Sequence, residues 1–327
     1  MIIKLFNGKN IALQFAVILL FFFSMINREV IVQSPQGFGP LYDLLYQSIE
    51  GSPILIYSIF VGLVVIEGLL IQLIVMMYNL VARNNYIVLL IWLILVFSNP
   101  LLASINPVLI STVLITWALF QLLAITENIN PLPKIFSVGF VFSTASLIYG
   151  NLIWFSLFLI TALLILSLFK GRSVLISIIS FTTPYIYLFT YGFVMDQEIQ
   201  FWSQFHFGLG EWNFFQNEVS LGVSIAIGII VLTLSVISIS KVMMRLFSKL
   251  IQTRNVTKVL FAWLIASFML QFLSGNWWYV HPILLFVPIT LFIAIFLSEL
   301  KKTIYFDITL ISLIALDIIQ LYYKSNA

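Results

Sequence analysis

The sequence predicts an all-α integral membrane protein, a polytopic bundle of about eleven transmembrane helices with its N-terminus in the cytoplasm. Three observations carry that prediction. First, 62% of the 327 residues are hydrophobic and only 8% are charged, with a mean hydropathy of +1.13. Soluble domains carry about 25% charged residues, so a single water-facing globule would leave too much apolar surface exposed. Second, the apolar residues come in continuous runs, where membrane strands would alternate apolar and polar positions. Third, the basic residues fall almost entirely in every second loop, which sets an orientation.

Spanning a bilayer as a helix takes about 20 apolar residues. On that template the candidate spans are 11–27, 53–81, 86–105, 107–125, 135–149, 152–169, 173–195, 221–243, 257–273, 283–299 and 303–323. The first follows Lys4 and Lys9, and "FSMINREV" offers no small-x-small cleavage site, so it reads as an uncleaved anchor. The third and fourth are joined by "SNPLLASINP", where Asn99-Pro100 and Asn106-Pro107 both disfavour continuous helix. The fifth and sixth meet at Gly150-Asn151. Either of these two pairs can also be read as a re-entrant hairpin.

Eleven spans with the N-terminus inside place Lys4, Lys9, Arg83, Lys134, Lys170, Arg172, Lys241, Arg245, Lys249, Arg254, Lys258, Lys301 and Lys302 on the cytoplasmic side. Only Arg28 and Lys324 lie outside. Seven carboxylates fall outside as well: Glu29, Asp43, Glu50, Asp196, Glu198, Glu211 and Glu218. The whole chain, 1–327, reads as one transmembrane domain. Its outer loops are 28–52, 196–220 and 274–282, and its inner basic loop is 241–258. Within the first outer loop, "LYDLLYQSIEG" has helical apolar spacing and predicts a short amphipathic helix lying in the interface. In the basic loop, Lys241, Arg245 and Lys249 are spaced four apart, as on one helical stripe. Anionic lipids of the cytoplasmic leaflet are the expected partners there. No internal repeat, cysteine, Gly-rich phosphate loop or Ser-His-Asp arrangement is evident. A net charge of +3 does not point to nucleic acid.

Between 72 and 195 the chain carries "Gln72…Asn79", "NPLLASINPVLISTVLI", "KIFSVGFVFSTASLIYGNLIWF" and "LFKGRSVLISIISFTTPYIYLF". This series resembles a family of multi-pass inner-membrane proteins of Bacteroidota that carries a domain-of-unknown-function label. The resemblance implies a bacterial inner-membrane location. It brings no reaction and no catalytic residues.

Two sets of residues are candidates for chemistry. Glu67 lies in the middle of the apolar run "GLVVIEGLLIQLIVMM", where a charge costs about 2.5–3.5 kcal/mol. Gln72 and Asn79 lie roughly 140° and 120° away around the helix, so the partner of Glu67 must come from another span. The residue reads as a neutral polar clamp between helices, or as a proton or cation site. The second set is the acidic, aromatic outer face. Enzymes that transfer sugars from lipid-linked donors need a carboxylate near the outer surface, and a cation beside the lipid phosphate. Glu29, Asp43 and Glu211 are the carboxylate candidates, with Arg28 as the cation. Trp202, Trp212, Trp277 and Trp278 are candidates for stacking on sugar faces. His206 and His281 also lie on this side as candidates for substrate contact, without the spacing or number of ligands that a metal site needs. The general plan is similar to that of polytopic glycosyltransferases and surface-polysaccharide polymerases, which implies a polyprenyl-linked glycan as substrate and no cofactor. The alternative is a non-catalytic membrane subunit or a transporter component, and the aromatic outer loops are then an ordinary interfacial belt.

Overall fold

A computed structural model describes residues 3, 6, 11–25, 31–32, 39–49, 52–81, 85–98, 104–127, 130–194, 221–274, 282–300 and 304–325. Within them run twelve α-helices: α1 Ile11–Met25, α2 Pro40–Ile49, α3 Pro53–Met77, α4 Ile87–Phe97, α5 Pro107–Leu123, α6 Leu132–Ile148, α7 Ser156–Ile165, α8 Gly171–Val194, α9 Leu221–Met244, α10 Ile251–Ser274, α11 Pro282–Ser298 and α12 Ile304–Ser325. One helix falls in each of the eleven apolar segments, and α2 occupies the stretch expected to be amphipathic. Two-residue strands β1 (Ile31–Val32) and β2 (Ser104–Ile105) pair in parallel. The helices α3, α8 and residues 225–244 of α9 are long and apolar enough to cross a membrane. That is a membrane-associated helical protein.

The centre is α4. Ten of its eleven residues are buried, and it packs on α1, α3, α11 and α12. At 1.5 Å per residue it is about 16 Å long, roughly half the hydrocarbon thickness. A helix apolar on every side is a core helix, and α4 is one. The expected run 86–105 is therefore corrected: the helix stops at Phe97, and Ser104–Ile105 is strand. Asn99-Pro100 accounts for this, because a proline pushes the residue before it out of the helical region. The expected 152–169 is shortened too, opening with a 3-10 turn at Gly150–Phe155 before α7.

Small residues let α6 and α8 approach closely. The buried positions of α8 include Ser173, Ser177, Ser180 and Pro184, which share one stripe. Opposite them, Gly139 of α6 sits so near that a Cβ built there would lie 1.9 Å from the Ser180 Oγ. The Ser143 hydroxyl donates to the Phe181 carbonyl, and Ser146 and Tyr185 share a 2.8 Å hydrogen bond. This is how helices associate in lipid, where apolar burial between helices gains nothing. The other side of α8 exposes Leu175, Ile178, Ile179, Ile186 and Phe193.

A proline also explains the fastening of α10 to α11. Pro288 has no N–H for the Leu284 carbonyl four residues earlier. Trp263 Nε1 of α10 donates to that carbonyl at 3.1 Å, and Ser267 Oγ lies 3.4 Å from it. The Trp263 ring packs on Phe155 and Phe158, tying α10 to the start of α7. Trp263→Phe should keep the ring stack and lose the main bond to the freed carbonyl. The expected cost is about 1–2 kcal/mol, measured as a drop in the denaturation midpoint in detergent.

The two ends of the bundle differ. At one end Tyr42 Oη donates to the Ile105 carbonyl, Gly39 N donates to the Ile148 carbonyl, and β1 pairs with β2. At the other, Arg245 Nη1 meets Glu299 Oε2 at 3.0 Å, Lys249 Nζ meets Glu299 Oε1, and Ile3 N donates to Asp307 Oδ1. The expected helical stripe of Lys241, Arg245 and Lys249 is corrected here. Helix α9 ends at Met244, Leu246–Ser248 forms a 3-10 turn, and α10 begins at Ile251. The broken backbone turns Arg245 and Lys249 onto one carboxylate instead of aligning them along a helix.

Candidate functional site

Between α9, α10, α11 and the end of α4 runs an apolar groove of about 390 Å³. Ile227, Val231 and Leu232 form one wall, Phe268 a second and Phe286 a third. Three polar residues line it: Ser98, Ser235 and Gln271. The Ser98 and Ser235 hydroxyls donate back to Ile94 and Val231 of their own helices, so the serines present little polarity to the groove. Gln271 and Ser98 lie at the end where α4 and α10 finish and α11 begins, the same end that carries α2. A second cavity of about 310 Å³ lies at the basic end, against Leu123, Leu166 and Asn255.

Asp43 lies in the first turn of α2. This helix is seated on the bundle end by backbone contacts that only glycine permits. A Cβ at Gly39 would stand 2.0 Å from the Leu147 carbonyl oxygen. Tyr42, 1% exposed, is the buried anchor of the seat. Asp43 is half-buried beside it, and its Oδ1 is buried without a hydrogen-bond partner among the described residues. Desolvation raises the Asp43 carboxyl above the usual aspartate range. Burial likewise pushes the Tyr42 phenol up, so it remains neutral and acts as a hydrogen-bond donor. With one of its two oxygens desolvated and without a donor, the Asp43 carboxylate is a stronger proton acceptor than an ordinary surface aspartate.

Glu67, on α3, is fully buried. Its Oε1 accepts a 2.6 Å hydrogen bond from the Thr116 hydroxyl of α5. Its Oε2 has no partner among the described residues. Thr116 was not legible as the partner, although Thr112 and Thr116 stand one turn apart on one face of α5. The close seat of α4 on α3 completes the surroundings: Trp92 Nε1 donates to the Val64 carbonyl, and a Cβ at Gly68 would come within 3.1 Å of the Trp92 ring.

Of the candidates read from the sequence, only Asp43 and Glu67 are among the described residues. They belong to different helices, one at the bundle end and one inside it. Arg28, Glu29, Trp202, His206, Glu211, Trp212, Trp277, Trp278 and His281 lie outside the described residues. Chain connection alone relates some of them to the groove. Segment 275–281 joins α10 to α11, and 195–220 leads into α9, so both are attached to helices that line it. Among the described residues, no three His, Asp or Glu gather as metal ligands. Gln271, Ser98 and the phenylalanines of the groove escaped sequence reasoning, because a groove wall carries no spacing of its own. Comparison with family models, curated proteins and solved structures gives no significant match.

Proposed function

We propose that this chain is a multi-pass protein of the bacterial inner membrane with eleven spans, its basic end in the cytoplasm and its α2 end outside. On this reading it serves envelope biogenesis as a glycosyltransferase-like or polysaccharide-polymerase-like enzyme, using a polyprenyl-linked glycan at the outer face. The observation that carries the reading is the apolar groove. An apolar cavity of about 150 Å³ holds benzene, and on that scale 390 Å³ takes a chain of roughly fifteen carbons. In lipid the natural occupant of such a groove is a hydrocarbon tail. In the sequence Trp277, Trp278 and His281 fall between the two helices α10 and α11 that line the groove and Glu211 precedes α9; these are residue types that sugar and phosphate call for.

The chemistry follows from the carboxylates. An acceptor hydroxyl gives its proton to Asp43, Glu29 or Glu211 while its oxygen attacks the anomeric carbon of the donor sugar. The bond from that carbon to the lipid phosphate oxygen breaks, and the phosphate leaves with the electron pair. Arg28 offsets the charge that develops on it. Gly228 sits in the groove wall, and a tryptophan there would fill the tail site. Gly228→Trp should reduce crosslinking of a photoreactive polyprenyl phosphate by about tenfold or more with the fold intact. Unchanged crosslinking, or none by the parent protein, sinks the reading.

One observation favours the alternative of a non-catalytic subunit. Only 22% of the apolar window of α8 is buried, which leaves a long apolar face for lipid or for another membrane protein. Site-specific crosslinking from Ile179 in native membranes separates the two, since lipid gives no discrete protein adduct.

A further inference from the structure

The basic end of the bundle holds more cations than carboxylates to meet them. Among the described residues its ion pairs are those of Arg245 and Lys249 with Glu299. Lys134, Lys170, Arg172, Arg254 and Lys258 stand at the same end without a carboxylate partner among those residues. Arg254 Nε is also buried with no acceptor there. A surplus of charged donors is complementary to a phosphate group.

Three helix ends meet at this end around the cavity of about 310 Å³. Leu123 closes α5, Leu166 follows α7, and Ile251, Gln252, Asn255 and Val256 belong to the first two turns of α10. The Lys134 ammonium donates to the Ala124 carbonyl at 3.4 Å, one residue from Leu123, which sets a cation beside the cavity. After Leu166 the chain turns back at Ser167, with a φ of 59°, and Lys170 follows at the same end. Gln252 and Asn255 add carboxamides to the wall, groups that can donate to phosphate oxygens. The lip is apolar. Ile251 lines the cavity and is 69% exposed, and Met244, Phe247 and Leu250 beside it are more exposed still. Met244 continues the exposed stripe of Ile229, Leu232 and Val236 along α9. The lip therefore runs into the apolar flank of a helix long and apolar enough to cross a membrane.

We propose that this cavity binds the headgroup of a single anionic phospholipid, with the phosphate beside Lys134 and the acyl chains over Ile251 and Leu250. A free phosphate would gain nothing from the apolar lip, and a lipid without net charge would gain little from the surplus cations. About 310 Å³ lies at the small end of ligand pockets, room for a headgroup and not for its chains. The site shares no residue with the apolar groove, so it stands whether or not the groove holds a lipid. It also differs from a diffuse attraction of segment 241–258, because Lys241, on the last turn of α9, is not among its walls.

Lipid titration of the purified full chain tests it. The protein in a neutral detergent is titrated with dioleoylphosphatidylglycerol or dioleoylphosphatidylcholine, and retained lipid is counted by native mass spectrometry. A single phosphatidylglycerol should be retained in preference to phosphatidylcholine. Its affinity should fall by about fivefold in Lys134→Gln, the loss of one cation at a phosphate. Asn255→Trp, which fills the cavity from its wall, should abolish retention. Lys241→Gln should leave it unchanged. An equal decline in Lys241→Gln would show attraction to the whole basic end and overturn the site. Equal retention of the two lipids would overturn it as well. Displacement of phosphatidylglycerol by millimolar inorganic phosphate would make a soluble anion the ligand and overturn the lipid assignment.

Discussion

Gly39→Ala should release α2 from the end of the bundle. The three nearest atoms to a Cβ at this position are all backbone: the Leu147 oxygen at 2.0 Å, the Leu147 carbon at 2.6 Å and the Ile148 carbon at 2.9 Å. No rotamer change relieves such a clash, so either α6 or α2 must move. Moving α6 would disturb its contacts with α5 and α8, whereas α2 is a ten-residue helix held by few anchors. The cost is therefore limited to the docking of α2 itself. Burial of Tyr42 and its hydrogen bond to Ile105 put that at about 3 kcal/mol. Amide hydrogen exchange should rise by about a hundredfold across Pro40–Ile49 and stay unchanged in α4. If Asp43 is a proton acceptor, activity should be lost in step with that exchange. Slow exchange in α2 of Gly39→Ala would refute the close seat.

Gly139→Leu should part α8 from α6. A first methyl already meets Ser180 Oγ at 1.9 Å, Ser180 Cβ at 3.1 Å and the Ser177 carbonyl oxygen at 3.3 Å. Gly139→Ala can be absorbed in part, because the Ser180 hydroxyl can rotate at the expense of its hydrogen bond to Ser177. A leucine has no such escape. Separating the helices also strips the Ser143 bond to Phe181 and the Ser146 bond to Tyr185. Overpacking of this kind costs about 1–3 kcal/mol, and the two lost hydrogen bonds add about 1 kcal/mol each. The expected result is a loss of monodisperse protein in detergent, with Gly139→Ala intermediate. A Gly139→Leu protein as stable as the parent would show that the helices do not meet at this glycine.

The helices themselves were legible, because an apolar run is a local property. Each run between 11 and 323 yields a helix, since backbone groups in lipid must be satisfied within the segment that carries them. Lengths were less legible. "SNPLLASINP" announces an interruption, but only packing makes the eleven residues of α4 a central post instead of a wall. The basic segment 241–258 misled for a related reason. A spacing of four implies a stripe only if the helix continues, and here it ends at Met244.

The site divides along the same line. Composition and the amphipathic "LYDLLYQSIEG" were enough for a helical membrane protein with a short amphipathic helix carrying Asp43, expected to lie in the interface; its seat on the bundle end came only from the structure. The position of Glu67 was enough to require a partner on another helix. Which helix supplies it was a tertiary decision: Thr116 of α5 is 49 positions away, and nothing local distinguishes it from the other threonines of that helix. The groove beneath Gln271, the carbonyl freed by Pro288 and taken by Trp263, and the glycines that admit backbone at contact distance were decided there too. Hydropathy acts on each segment separately, so the sequence by itself determined where the apolar helices form. Neighbours, cavities and unpaired oxygens arise only from how helices distant in the chain are set side by side.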